Sequence, residues 1–159
     1  MKSKGQFQKN QLVFKEISPK IHLKDLSPSP IYRANPNKPV VSFIINVAWG
    51  NEYIEGMLAD LKEHDIHATF ALEGRWVKNN PDLAKRIAAG GHEIGNHAYT
   101  HPDMQNLSVE SAKKEISETN RVIQEVTGHK PKLFGPPSGS FNERTVQVAA
   151  SLGMETILW

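Results

Sequence analysis

Two histidines four positions apart are the side chains whose spacing points most directly to chemistry. His97 and His101 lie in the segment GHEIGNHAYTHPDM at 91–104 and form an H-x-x-x-H pattern. Two imidazoles at this spacing meet one metal ion if the backbone between them turns like a helix, and neutral imidazole suits zinc and similar metals. Because the pattern is short, two ordinary polar loop residues are the alternative to a metal-binding pair.

A carboxylate, an aromatic ring and a proline-rich loop follow three other predicted strands. Glu73 in ALEGRWV is a candidate acid or base, and a solvated ion pair with Arg75 is the alternative. Trp49 in INVAWGNEY is a candidate surface for stacking a sugar ring, although large aromatic residues more often belong to a core. The segment FGPPSGSF at 134–141 predicts a rigid loop that lines a cleft, with an ordinary turn as the alternative.

These side chains need a scaffold, which the apolar pattern predicts. Apolar runs indicate five strands, at 40–47, 67–72, 93–95, 132–134 and 155–159. Apolar residues at helical spacing indicate four helices: one capped by Asn51, one capped by Asn80, one that Ser108 opens, and one from Asn142 to Leu152. The first strand, VVSFIINV, has the continuous apolar character of a strand buried on both faces.

Strand and helix alternate four times before the fifth strand, which predicts a parallel sheet with helices on its outside. Functional side chains in such folds lie at the carboxyl ends of the strands, where the residues named above are expected. A small flavodoxin-like sheet is one alternative. A nucleotide-binding sheet is disfavoured, since no G-x-G-x-x-G or P-loop follows the first strand. Residues 1–39 are polar and indicate a tail or linker, with one short strand at 11–17.

Composition excludes several classes of protein. The 159 residues suit one domain or a large piece of one, and the net charge of +2 without a basic run does not indicate a nucleic-acid partner. The absence of cysteine excludes a disulfide framework, a thiolate zinc site and a cysteine nucleophile. No apolar stretch is long enough to span a membrane, and the basic start MKSKGQFQKN is not followed by the apolar region of a signal peptide.

At this point the chain resembles a known family. The stretch ATFALEGRWVKNNPDLAKRIAAGGHEIGNHAYTHPDM at 68–104 is similar to the middle of NodB-type polysaccharide deacetylases, carbohydrate esterase family four. GHEIGNHAYTH is its most specific part, and FGPPSGSF resembles the R-P-P-x-G loop of that family. Together with VAWGNEY, these segments look most similar to the divergent deacetylase-like proteins of spore-forming bacteria. The resemblance covers residues 40–159, which we expect to form one deacetylase-like domain.

The resemblance implies a distorted (β/α) barrel, here incomplete at its C-terminal side. It implies hydrolysis of N-acetyl groups on cell-envelope polysaccharides, either peptidoglycan or chitin-like polymers of N-acetylglucosamine, with one divalent metal, zinc by expectation. It places the metal-binding pair on His97 and His101, and the substrate-groove loop on Pro136, Pro137 and Gly139. An extracytoplasmic setting also follows from the resemblance alone.

The first motif departs from the family pattern, which is T-F-D-D-G, or D-V-D in some relatives. Here the run is Asn46-Val47-Ala48, so that Asn46 stands at the general-base position and Ala48 at that of the metal-binding Asp. Gly135 replaces the Arg of the loop motif. Glu73 is then a candidate substitute base, and Asp103 a candidate substitute ligand. The later motifs of the family are expected beyond the last residue of this sequence.

Two functions follow from this pattern. The first is a metal-dependent hydrolase that acts on amide bonds of N-acetylated polysaccharide, and the similarity and the histidine pair favour it. The second is a catalytically degenerate relative that serves as a glycan-binding or structural protein, which the losses at Asn46, Ala48 and Gly135 favour. A bound metal with a base beside it distinguishes the first from the second.

Overall fold

The computed structural model describes residues 6–8, 11–13, 26–33 and 35–159. Near the N-terminus, strand β1 (Gln6–Gln8) pairs antiparallel with β2 (Gln11–Val13). The strand predicted over 11–17 is therefore confirmed at Gln11–Val13, and its other positions lie outside the described residues. In the described part of the chain, no helix is long and apolar enough to cross a membrane.

The main sheet has five parallel strands that follow one another in chain order, as the alternation of elements predicts. They are β3 (Ile44–Val47), β4 (Thr69–Leu72), β5 (Glu93–Asn96), β6 (Leu133–Phe134) and β7 (Glu155–Thr156). A flavodoxin-like sheet reverses its strand order at a switch point. The sequential order seen here is that of a barrel, so it argues against the flavodoxin-like alternative.

Five helices connect these strands: α1 (Ile54–Glu63), α2 (Gly74–Asn79), α3 (Pro81–Ala89), α4 (Val109–Thr127) and α5 (Glu143–Ser151). The predicted starts of α4 and α5 are confirmed, because the Ser108 hydroxyl accepts from the Ser111 amide and Asn142 forms a capping box with Thr145. Gly128 ends α4 in a left-handed conformation, as its lack of a side chain permits.

One prediction about the helices was wrong, and one helix was missed. Asn51 does not cap α1, which begins after Tyr53 without a side-chain cap, and the Asn51 amide instead donates to Asn80. The short helix α2 was not predicted. Its cap is the Glu73 carboxylate, which accepts a hydrogen bond from the Trp76 amide.

The first predicted strand is shorter and more exposed than expected. Only Ile44–Val47 pairs with β4, whereas the preceding apolar residues are open to solvent, Val41 being 86% exposed and Phe43 51%. Among the described residues β3 lies at the edge of the sheet, so it has a neighbour on one side only. Its apolar character therefore does not reflect burial on both faces.

The two faces of the sheet differ in side-chain size. Large residues on the outer face, Phe70, Leu72 and Phe134 among them, are fully buried. The opposite face places Ala71 and Gly95 in register with Asn46, so it carries small side chains. This arrangement leaves room beside the inner face near the strand ends.

The segment before residue 39 is not wholly separate from the domain. The Ile31 amide donates to Thr156 at 2.8 Å and the Leu158 amide donates to Ile31 at 3.0 Å, which pairs Ile31 alongside the end of β7. The strand predicted over 155–159 is reduced to Glu155–Thr156. A domain boundary at residue 39 stays a prediction.

Candidate functional site

Four of the residues of interest directly follow adjacent strands. Ala48, Glu73, His97 and Gly135 come after the last residues of β3, β4, β5 and β6. Carboxyl ends of parallel strands share one edge of the sheet. The fold therefore gathers these positions at the edge where the sequence predicts a site.

Gly135 lies where three strand ends converge. A β-carbon built on Gly135 would lie 3.8 Å from His97 Nδ1 and 3.9 Å from Asn46 Oδ1. The three segments that resemble family motifs thus meet at one point, although they are far apart in sequence. Asn46 is exposed and brings a neutral amide to this point, and its place at the general-base position of the family motif stays a prediction.

His97 is a buried, neutral imidazole with one free nitrogen. The side chain is 2% exposed, and its Nδ1 lies 2.6 Å from the Gly135 carbonyl oxygen. Burial lowers the pKa of His97 to about 4, nearby His101 acts in the same direction, and the bond to Gly135 opposes both. Because a carbonyl oxygen only accepts, Nδ1 carries the proton and Nε2 keeps its lone pair.

The structure brings His97 and His101 together. Their ring centroids are 5.0 Å apart at an interplanar angle of 65°, and Trp49 packs against the far side of His101 at 5.0 Å and 69°. The turn between the histidines is not helical. Ala98 and His101 adopt left-handed conformations, with φ of 60° and 56°. The sequence spacing predicted proximity, but this loop achieves it by another route.

Buried Asn96 anchors the start of the histidine loop. Its amide donates at 2.8 Å both to the Ile116 carbonyl and to Asn120 Oδ1, and its Oδ1 accepts from the Ala98 amide at 2.8 Å. The side chain is fully buried with its hydrogen-bonding groups partnered. Asn96 therefore ties the left-handed residue Ala98 to helix α4.

Glu115 of α4 and the start of α2 hold the rest of that loop. The Glu115 carboxylate accepts from the Tyr99 and Thr100 amides, each at 2.8 Å. From the other side, the Gly74 amide donates to Ala98, the Arg75 amide to Tyr99, and the Arg75 guanidinium to Thr100. Every backbone polar group from Ala98 to Thr100 has a partner. Nothing in the spacing of the sequence marks Glu115 for this role.

Glu73, the candidate substitute base, is engaged on both oxygens. Its side chain is 2% exposed, one oxygen accepts from the Trp76 amide at 2.5 Å, and the other from Arg75 Nε at 2.9 Å. The ion pair with Arg75 that the sequence allowed is present, but its carboxylate is buried rather than solvated. In this structure Glu73 caps α2, and its action as a base stays a prediction.

Asp103, the candidate substitute ligand, is bound to the proline loop. One carboxylate oxygen accepts from Asn106 Nδ2 at 2.7 Å, and the other accepts from the Ser140 hydroxyl. Both contacts fasten the segment after His101 to the loop after β6. A ligand role for Asp103 stays a prediction.

The proline-rich loop is compact. The Gly139 amide donates to Pro136 at 3.0 Å and the Ser140 amide to Pro137 at 2.9 Å, around a single helical turn, Pro137–Gly139. Pro136 and Pro137 are both buried, whereas the next residue, Ser138, is exposed. Any substrate contact at this loop is therefore made to its backbone and to Ser138 rather than to open proline rings.

The donor set at this edge does not fit a resident divalent metal. No three His, Asp or Glu side chains lie close enough together to hold one, among the residues that the structure describes. The site offers two imidazoles, and Ala48 and Asn46 add no anion. Catalytic zinc sites have three protein ligands. One ligand of that set is missing here.

Trp49 stands between two hollows. Its side chain is 76% exposed. A hollow of about 360 Å³ on one side includes Ala48, Glu73 and Arg75 in its lining, and one of about 320 Å³ on the other side includes Asn46 and Tyr53. Exposed indoles with adjoining space suit sugar rings. A larger hollow, near His67 and His92, lies at the opposite edge of the sheet.

Comparison with known proteins extends the likeness to the whole chain. The uncharacterized protein YlxY of Bacillus subtilis is 51% identical over all 159 residues, which make up 50% of its length. The peptidoglycan-N-acetylmuramic acid deacetylase PdaA of the same species is 31% identical over 129 residues, covering 80% of this chain and 49% of PdaA. The chain thus spans about half the length of these relatives.

Solved structures share the fold. A wild-type CE4 family pseudoenzyme of Bacillus anthracis matches with a TM-score of 0.84 and 51% identity over 97% of this chain and 55% of its own. A mutant of that pseudoenzyme with restored enzymatic activity matches with the same TM-score. The polysaccharide deacetylase family model matches residues 33–157, a span that includes the whole five-stranded sheet and the histidine and proline loops. The chain therefore belongs to the polysaccharide deacetylase family.

Proposed function

We propose that this chain forms part of a deacetylase-like protein that acts on N-acetylated glycans of the cell envelope, of the peptidoglycan type. Its similarity to a peptidoglycan-N-acetylmuramic acid deacetylase supports this class of substrate. The same similarity supports an extracytoplasmic setting at the cell wall.

One observation carries the proposal. Asn46, His97 and Gly135, each from a segment that resembles a family motif, converge on one point at the strand ends. From that point the His97–His101 pair leads to the exposed Trp49 indole, which lines two hollows that we propose as the glycan groove. This arrangement suits a sugar ring stacked on Trp49 with its N-acetyl group near His97.

The residues present support binding better than hydrolysis. An amide at Asn46 does not accept a proton from water, and loss of a general base lowers the rate by about 10²–10⁴. His97 and His101 alone lack the third protein ligand of a catalytic zinc site, so we assign no step to zinc, the cofactor that the family resemblance implies. We therefore expect glycan binding with slow removal of N-acetyl groups.

The second candidate function is binding without any hydrolysis. The identity of 51% to a CE4 family pseudoenzyme favours it. A mutant of that pseudoenzyme has restored enzymatic activity, so in that protein mutation converts one function into the other. The two candidates share the groove and differ only in chemistry.

Acetate release tests the proposal. Purified protein and the Asn46→Asp variant, which restores a carboxylate at the proposed general-base position, are incubated with zinc and either N-acetylglucosamine oligomers or peptidoglycan, and co-sedimentation with insoluble peptidoglycan measures binding. We expect the unaltered protein to bind and the variant to release acetate at least about tenfold faster. A Val109→Ala variant on exposed α4 is the control.

Each outcome decides between the candidates. Binding with slow acetate release supports deacetylase-like action, and binding without release by either protein supports the second candidate. Absence of both binding and release from a folded protein contradicts the proposed function.

A further inference from the structure

We propose that Trp49 is the residue that prevents the His97–His101 pair from forming a divalent-metal site. Its indole fills the place beside His101 from which an anionic ligand would complete the pair. The inference rests on the proposed function in that it concerns the same site. It predicts metal affinity, however, which is measured independently of glycan binding.

Three rings form a row. His97 contacts His101 with centroids 5.0 Å apart, and His101 contacts Trp49 at the same separation, both nearly edge to face. His97 is buried at one end, and the indole is 76% exposed at the other. His101 therefore faces an aromatic ring where a three-ligand site needs a third donor atom.

The backbone around Trp49 is held independently of the indole. The Val47 carbonyl accepts from the Glu73 amide at 2.8 Å, and the Gly50 carbonyl accepts from the Trp76 indole at 2.7 Å. Gly50 adopts a φ of 75°, a conformation that glycine takes without strain. We therefore expect the backbone at position 49 to keep its place in a variant, so that a new side chain there points towards His101.

Position 49 carries the ring that contacts His101. The sequence pattern assigned the missing ligand to Ala48, whose methyl group is half-buried and lines a hollow with Glu73 and Arg75. The ring that packs on His101 comes from Trp49. A carboxylate is consequently better placed at 49 than at 48 to join both imidazoles.

Neither of the two candidate substitutes, Glu73 and Asp103, is free to serve instead. Glu73 is bonded through both oxygens to α2, and Asp103 through both oxygens to Asn106 and Ser140. One added carboxylate would change the donor set from two nitrogens to two nitrogens and an oxygen. That set is the one found in many catalytic zinc sites.

Zinc titration by calorimetry tests the inference on the unaltered protein and on Trp49→Asp, Trp49→Asn and Ala48→Asp. We expect Trp49→Asp to bind one zinc ion at least about tenfold more tightly than the unaltered protein, the size of effect typical for groups that support a metal site. Trp49→Asn has the same shape without the charge and should show no gain. Adding His97→Ala to Trp49→Asp should abolish the gain.

Two results would overturn the inference. One is zinc binding by Trp49→Asp no tighter than that of Trp49→Asn, and the other is an equal or larger gain from Ala48→Asp. Circular dichroism checks that each variant folds, which the exposure of Trp49 favours, and Trp49→Glu provides a second carboxylate if the first variant is unfolded. Because peptidoglycan co-sedimentation of the unaltered protein is scored separately, failure of this inference and failure of the proposed function are distinguishable.

Discussion

At the scale of single residues, the site depends on two left-handed residues that are not glycine. Ala98 and His101 both have positive φ, a conformation that costs on the order of 1 kcal/mol or more and persists only where its surroundings enforce it. Here Asn96, Gly74, Arg75 and Glu115 provide that enforcement through hydrogen bonds to the loop. The loop holds His97 and His101 within 5.0 Å as a result.

Histidine burial gives the stability of this protein a defined pH dependence. His92 is 6% exposed and its Nδ1 accepts from the Ala68 amide, so the folded protein needs the neutral ring. Burial, and secondarily His67, lower the pKa of His92 below its usual 6.5. As the pH falls below that value the unfolded chain takes up the proton first, so stability decreases.

We expect His92→Asn, whose amide oxygen replaces Nδ1 as acceptor, to weaken this dependence. Chemical denaturation between pH 7.5 and about 5 measures it, because this window spans the pKa of histidine in unfolded chains. His97 acts in the same direction, so part of the slope should remain in the variant. Parallel curves for the variant and the unaltered protein would show that His92 is not responsible.

At the scale of elements, the sequence predicted those whose signals are local. Helix α4 begins at Ser108 and ends at Gly128, and α5 begins at Asn142, as predicted. Each N-terminal cap bonds to an amide only three residues along the chain, so the signal can be read from neighbouring residues. Helix α2 was missed because it has only six residues and its cap is Glu73, an uncommon residue at that position. Strand β3 was predicted too long, since apolar residues do not reveal which of them find a partner strand.

In the candidate site, too, the sequence predicted the residues that form a local pattern and missed those that act through distant contacts. The H-x-x-x-H pattern identified His97 and His101, which the structure brings together. Glu115 and Asn96, which hold their loop, act on residues up to 24 positions away. Such contacts exist only once α4 packs on the sheet, so no pattern of neighbouring residues shows them.

Gly74 should be indispensable where α2 meets the histidine loop. A β-carbon there would overlap the Tyr99 ring and come within 2.9 Å of the buried Thr119 hydroxyl. Overpacking of this kind costs about 1–3 kcal/mol. We expect Gly74→Ala to lower the free energy of unfolding by that amount, as measured by urea denaturation.

Gly56 in α1 is the matched control. A β-carbon at Gly56 would meet no atom within 4 Å, and the residue lies in the interior of a helix. Alanine should therefore raise stability there by about 0.5–1 kcal/mol. Equal effects of Gly56→Ala and Gly74→Ala would mean that the tight packing around Gly74 is not important.

At the scale of the whole molecule, the residues that form the core and the residues of the candidate site lie on different parts of the sheet. Its outer face packs large side chains against the helices, whereas the inner face carries small ones and leads to the histidine and proline loops. The core thus leaves the residues at the strand ends free to vary. This is consistent with one fold shared by a peptidoglycan deacetylase and a pseudoenzyme among the relatives.

The exposed apolar residues before β3 should promote self-association of the chain through the described edge of the sheet. Val40, Val41 and Phe43 are each more than half exposed, and β3 pairs on one side only among the described residues. Unpaired apolar edges associate with other chains, and a lysine on the edge opposes this. We expect concentration-dependent self-association in sedimentation velocity, and we expect Val41→Lys to reduce it.

The control is Val109→Lys, which places the same charge on α4, where Val109 is 45% exposed, and should not reduce self-association. An equal decrease in both variants would attribute the change to net charge rather than to the edge of β3.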